Sequence, residues 1–185
     1  MSAFHLDRAG AFNDAECAAI VALAHSRSME PATVYGARGD EVVPELRRAE
    51  RCHLPRETST GWLFDRLDAL FAEAAAHFDL RAEPIFEAIQ IVRYGPGDHF
   101  QTWHSDAGTD RYYERQVSLS VELSDPADHE GGVLEIAPST VGAARTLPRG
   151  GARLFPSRLI HRVTPVTRGE RWALVAWTGV SEPPR

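Results

Sequence analysis

The apolar residues change period part-way along this chain, and any fold it adopts must accommodate that change. Up to about residue 80 they recur at helical spacing. Asn13 followed by Glu16 has the pattern of a capping box, with Asn in place of Ser or Thr, and Cys17, Ile20, Val21 and Ala24 then share one face. This predicts a helix from about Asp14 to Ala24. After Thr60, the residues Leu63, Leu67, Leu70, Phe71, Ala74 and Phe78 hold i, i+3, i+4 spacing and predict a second helix with one apolar stripe to lay on a sheet. From Ile85 the period becomes two. Ile85–Tyr94, Gln116–Leu123, Val133–Ile136, Ala152–Phe155, His161–Thr164 and Arg171–Thr178 read as short strands, with Gly95-Pro96-Gly97-Asp98 and Gly131-Gly132 as breaks. Helices first and strands afterwards imply an α+β chain, a double-sheet jelly roll with N-terminal supporting helices, and argue against an alternating βαβ sheet.

At 185 residues and 43% hydrophobic, the chain has the size of one domain, with a helical part over about 1–80 and a β core over about 85–180. A net charge of −6 gives no global basic field, so nucleic acid is not an expected partner. Cys17 and Cys52 fit neither a zinc knot nor a disulfide framework, which suits a reducing compartment. The first residues lack the apolar run of a signal peptide, and no segment has the length of apolar sequence that spans a bilayer. The expectation is a cytoplasmic monomer or homodimer without membrane contact. Gly36 to Thr60 is a charged stretch containing Arg47, Arg48 and Arg51, read either as a loop over a substrate entrance or as a solvated connection.

His104-Ser105-Asp106 is the most informative triplet. Alternate residues of an extended chain project to one side, so an imidazole and a carboxylate can reach a single ion. A third ligand is available in His161, which must arrive from a separate strand. Two imidazoles and one carboxylate on one face of a metal leave positions open, the arrangement that suits iron(II) oxygenases. A bare His-x-Asp is common by chance, and the weight comes from the segment His161 to Trp172. It reads as a β-hairpin with Pro165 to Gly169 at its tip, which would set His161 and Arg171 directly opposite each other. A guanidinium so placed could grip a carboxylate through two parallel hydrogen bonds, although Arg171 alone would more simply be a surface ion pair with Glu170 or Glu135.

At these residues the chain resembles the prolyl-hydroxylase-like branch of the iron(II)/2-oxoglutarate dioxygenases and is similar to bacterial PKHD-type hydroxylases. The resemblance is carried by Tyr94-Gly95-Pro96-Gly97 leading into Trp103-His104-Ser105-Asp106, by Leu123-Ser124-Asp125-Pro126 and Glu130-Gly131-Gly132, by Phe155-Pro156-Ser157, and by His161-Arg162-Val163-Thr164-Pro165-Val166. It implies a double-stranded β-helix of the cupin-like kind, with His104, Asp106 and His161 as iron(II) ligands. It also implies Arg171 as the anchor of the 5-carboxylate of 2-oxoglutarate, and Tyr94 in contact with the cosubstrate pocket. The activity implied is hydroxylation of an unactivated carbon of a peptidyl residue, prolyl-type favoured, using O2 and releasing succinate and carbon dioxide, with ascorbate as a candidate reductant. A free amino acid or small metabolite is the alternative substrate. A non-catalytic, metal-binding cupin-like sensor or interaction domain is the alternative of another class, and a zinc hydrolase is disfavoured because no general base stands out beside the triad. Trp172 is expected in the core, while Trp177 shares a face with Arg171 and could wall the site. His99 is expected to be a partner or surface histidine rather than a fourth ligand, and His5, His25, His53, His77 and His129 to be exposed or satisfied.

Overall fold

Asn13 begins the first helix as its neighbours require. In a computed structural model describing residues 4–36, 39–108, 115–137 and 146–180, its side chain accepts from the Glu16 N–H at 2.9 Å while the Glu16 carboxylate accepts from the Asn13 N–H at 2.9 Å. Helix α1 (Asp14–His25) follows and buries Cys17, Ile20 and Ala24. Helix α2 (Gly61–Phe78) buries Leu63, Phe64, Leu67, Phe71, Ala74 and Ala75, and stops where Asp79 turns left-handed at φ 55.

The strands around them are β1 (Leu6–Arg8), β2 (Glu30–Pro31), β3 (Val34–Gly36), β4 (Gly39–Glu41) and β5 (Glu50–Leu54) in the first half. In the second half come β6 (Ile89–Tyr94), β7 (Phe100–His104), β8 (Arg115–Glu122), β9 (His129–Gly131), β10 (Leu134–Ile136), β11 (Ala152–Pro156), β12 (His161–Val163), β13 (Val166–Gly169) and β14 (Arg171–Gly179). A seven-stranded sheet runs β1-β11-β8-β14-β6-β5-β2, a three-stranded sheet runs β10-β12-β7, and β13-β9 and β3-β4 form separate pairs. All the paired strands are antiparallel. This is the jelly-roll arrangement, two sheets backed by helices.

The large sheet is covered on both faces, which explains why β14 is apolar almost throughout rather than alternating. One face meets the helices, where Ile89, Ile91, Val117, Leu154 and Leu174 pack with Leu63, Phe64, Leu67 and Phe71. The other carries Val92 and Tyr94 toward Val163 and Val166 in the smaller sheet region.

Two expectations need correction. The first half is not purely helical, because the charged stretch contains β5, which pairs with β6 inside the large sheet. Its charged residues are balanced across strands: Glu50 receives a hydrogen bond from Arg93, and Arg51 lies 3.7 Å from Glu30, while Cys52 and Leu54 point into the core. The segment from His161 to Arg171 is also not one hairpin. β12 pairs with β7 and β10, β13 with β9, and β14 with β6 and β8, so the chain crosses from the small sheet to the large one between His161 and Arg171. Residues predicted to be cross-strand partners therefore sit in opposite sheets.

Candidate metal centre

The register of the small sheet places His161 directly beside His104. Asp106 lies just past the end of β7, where the Asp106 and Ala107 N–H groups both donate to the Ser157 carbonyl, at 3.0 and 3.1 Å. The Ser105 hydroxyl donates to the same carbonyl at 2.9 Å. These bonds fix the turn that swings the carboxylate back toward the imidazoles. His161 Nε2 lies 3.4 Å from Asp106 Oδ2, His104 Nε2 lies 3.9 Å from Asp106 Oδ1, and the three ligand atoms all fall within 4.8 Å of one another.

Each imidazole is oriented from behind. Nδ1 of His104 faces the Thr102 carbonyl at 2.9 Å, and Nδ1 of His161 faces the Leu159 carbonyl at 3.0 Å. A carbonyl can only accept, so Nδ1 carries a proton on both rings and Nε2 is the atom turned toward Asp106. Burial pushes His104 down to about 4, helped by the neighbouring His161, so its ring is neutral at physiological pH. Burial would raise the carboxyl of Asp106, but His161, His104 and hydrogen bonds from Ser118 and Trp177 outweigh it and hold the group at about 2. The Ser118 hydroxyl donates to Asp106 Oδ2 at 2.7 Å and lies 2.9 Å from the Ser157 hydroxyl. Two imidazole nitrogens and one ionised carboxylate, converging, are the donor set that binds a divalent transition metal and leaves coordination positions free.

The triad opens on a cavity of about 500 Å³ whose lining includes Tyr94, Phe100, Arg171 and Trp177. Arg171 and Tyr94 are direct partners in the β14–β6 register, and the guanidinium carbon stands 5.5 Å from the centre of the Tyr94 ring. Arg171 is 3% exposed and donates from Nε to Glu122 at 3.0 Å, so neither Glu170, which pairs with Arg93, nor Glu135, which pairs with Arg162, is its partner. Gly132, at φ +66, lets the chain approach this arginine: a Cβ there would come within 2.8 Å of Arg171 Cδ. Trp177 lines the cavity and hydrogen-bonds Asp106, whereas Trp172 packs in the core.

The other histidines divide. His5, His25, His53 and His77 are exposed. His99 is buried beside Arg48, with which it exchanges backbone hydrogen bonds, and stands outside the triad. His129 departs from expectation. It is buried and its Nε2 has no hydrogen-bond partner among the described residues, 4.0 Å from the equally unpartnered Oε1 of Glu122. Neither Glu122 nor Arg47, which also lines the cavity, stood out in the sequence. The cluster of arginines in the charged stretch was the only signal for Arg47.

Residues 89–179, which include the whole triad and Arg171, match the family described as the 2OG-Fe(II) oxygenase superfamily. The chain belongs to that superfamily. Among curated relatives named PKHD-type hydroxylase, it is 38% identical to one from Synechococcus sp. over 54% of this chain and 46% of the relative. It is 47% identical to one from Polaromonas sp. over 48% of this chain and 41% of the relative. A third, from Picosynechococcus sp., is 38% identical over 69% of this chain and 58% of the relative. The chain thus spans about half the length of the curated relatives it matches. Among solved structures of the superfamily's fold, a Pseudomonas putida prolyl-4-hydroxylase superposes with a TM-score of 0.77 at 22% identity, covering 96% of this chain and 93% of that one. A Trichoplax adhaerens prolyl hydroxylase, solved with a hypoxia inducible factor oxygen degradation domain peptide fragment, superposes with a TM-score of 0.75 at 16% identity, covering 95% and 83%.

Proposed function

We propose that residues 1–185 form one oxygenase domain in which His104, Asp106 and His161 hold iron(II), Arg171 anchors the distal carboxylate of 2-oxoglutarate, and Tyr94 lines the cosubstrate pocket. The observation that carries this reading is the pair of Nε2 atoms converging with an ionised Asp106 at the wall of a cavity that also holds a buried guanidinium. When bound, iron(II), 2-oxoglutarate and O2 supply the oxidising chemistry that converts an unactivated C–H to C–OH, with succinate and carbon dioxide released.

The chain's own residues bind, orient and exclude. Thr102 and Leu159 hold the two rings by their Nδ1 atoms, and Ser118 and Trp177 hold Asp106, so the donor set needs little rearrangement to accept the metal. Arg171 is fixed by Glu122 through Nε, which leaves its Nη groups to receive a carboxylate. Phe100, stacked on His104 with centroids 3.7 Å apart, and Phe155, edge-on to His161 at 4.8 Å, shield the ligand rings from water.

A peptidyl residue, prolyl-type favoured, is the substrate we propose, in keeping with the prolyl hydroxylases that share the fold. A second reading, a free amino acid or small metabolite, is favoured by a cavity of about 500 Å³, which has the scale of small-molecule sites. Ascorbate as reductant and a cytoplasmic location belong to the same proposal. No described helix is long and apolar enough to cross a membrane. The test is anaerobic reconstitution with iron(II), then exposure to oxygen with a panel of prolyl peptides and amino acids. Succinate release and a product heavier by one oxygen atom are expected, and failure to form either with any substrate while 2-oxoglutarate stays intact would overturn the proposal.

A further inference from the structure

We infer that the guanidinium of Arg47 is a receptor for a carboxylate carried by the primary substrate, held one aromatic layer from the metal ligand His104. This rests on the oxygenase reading and adds a substrate class to it.

Arg47 differs from the other arginines lining the cavity in having no acidic partner among the described residues. Arg171 pairs with Glu122 at 3.0 Å, Arg115 donates to both carboxylate oxygens of Glu87, and Arg51 lies 3.7 Å from Glu30. Arg47 donates from Nη1 to the Thr33 carbonyl at 3.0 Å and hydrogen-bonds the Tyr94 side chain, while its buried Nε has no hydrogen-bond partner among those residues. Burial pulls its pKa below the ordinary arginine value, and Tyr94 and Asp106 only partly counter that effect. Arg47 is half-buried, with its Nε buried and unpartnered and no carboxylate within ion-pair distance among the described residues, so its charge is open to an anion that enters the cavity. Its planar fork is suited to a carboxylate.

The position gives the recognition a purpose. The Arg47 guanidinium lies 4.8 Å over the Phe100 ring, and Phe100 is stacked on His104 at 3.7 Å. An anion bound to Arg47 would therefore sit in the same cavity as the triad. Tyr94 separates this role from that of Arg171, because Arg171 lies against its ring and Arg47 at its polar end. Two cations on one cavity would then divide two acids between them, the cosubstrate's distal carboxylate and the substrate's own. The substrate carboxylate belongs to a free small acid or to the C-terminus of a short peptide.

The test titrates protein loaded anaerobically with iron(II) and 2-oxoglutarate, by calorimetry, with L-amino acids and prolyl dipeptides, each paired with its C-terminal amide. At least one free acid is expected to bind about tenfold or more tightly than its amide. Arg47→Gln should erase that preference while leaving 2-oxoglutarate affinity and the melting temperature near those of the parent, and Arg47→Lys should restore part of it. Whether the preferring ligand is an amino acid or a dipeptide identifies the source of the carboxylate. Equal binding of acids and amides across the panel overturns the proposal. So does a loss of 2-oxoglutarate affinity in Arg47→Gln, which would make Arg47 a cosubstrate residue. Failure of the parent protein to bind iron(II) with 2-oxoglutarate would be a distinct result, sinking the oxygenase reading itself.

Discussion

Arg171 and Glu122 are both almost fully buried and meet at 3.0 Å, so a variant at either position disturbs a desolvated ion pair and, on the proposed reading, the cosubstrate socket as well. Arg171→Ala is expected to raise the 2-oxoglutarate KM by about tenfold or more with a smaller fall in kcat, since the guanidinium would grip the cosubstrate and not the reacting carbon. A 2-oxoglutarate titration at saturating substrate measures the split, and an unchanged KM would remove Arg171 from the socket. The two triad residues with shifted pKa values make a pH prediction for the metal-free protein. His104 drops from 6.5 to about 4 on folding, so the unfolded chain takes up a proton that the folded ring refuses, and stability falls as pH drops through that window. Asp106 drops from 3.8 to about 2, so its contribution is present above 3.8 and disappears as pH falls further. Both act in one direction. The urea midpoint of metal-free protein should therefore fall steadily from neutral pH down to about 4, and less steeply in His104→Gln. A flat midpoint over that range would count against the burial of a neutral ring.

Helix α1 and the turn before β10 test how single elements hold the site. Asn13→Ala removes one half of a reciprocal cap and is expected to cost about 1 kcal/mol in chemical denaturation, with no effect on iron binding. Gly132→Ala is different. Its φ of +66 is strained for alanine, and the new methyl would meet Arg171 Cδ at 2.8 Å and Val166 Cγ2 at 2.9 Å. A destabilisation of about 1–3 kcal/mol together with a raised 2-oxoglutarate KM is expected. Gly97→Ala is the control, since φ is +87 there but nothing lies within 4 Å, so it should show strain without a cosubstrate effect. Equal KM values for the two variants would mean that the β9–β10 corner does not position Arg171. At this scale the sequence was readable where one element explains itself. The capping pair Asn13 and Glu16 located α1, and the apolar stripe from Leu63 to Phe78 located α2. The strand β5 was not readable, because Glu50, Arg51 and His53 look solvated until Arg93 and Glu30 are brought beside them.

Across the whole molecule the triad joins β7, β12 and the turn after β7, while Arg171, the proposed cosubstrate anchor, comes from β14 in the opposite sheet. Metal and cosubstrate should therefore bind the folded state only and stabilise it by mass action. Manganese(II) with N-oxalylglycine is expected to raise the melting temperature in a concentration-dependent way, and a chelator should reverse the rise. Asp106→Ala should abolish the shift while keeping the circular dichroism of the parent, and a full shift in that variant would exclude Asp106 as a ligand. The sequence by itself determined the donor types, the His-x-Asp spacing on extended chain, the distal His161, and the order of helices before strands, because each depends on local period or on side-chain chemistry. Only the tertiary structure decided which groups face one another. The segment from His161 to Arg171 has the turn residues of a hairpin, yet it crosses between two sheets, since each strand pairs where the large and small sheets can bury their shared face. The same long-range pairing sets Glu122 against Arg171 and leaves Arg47 without an acid among the described residues, and no local pattern encodes which buried charges find a partner.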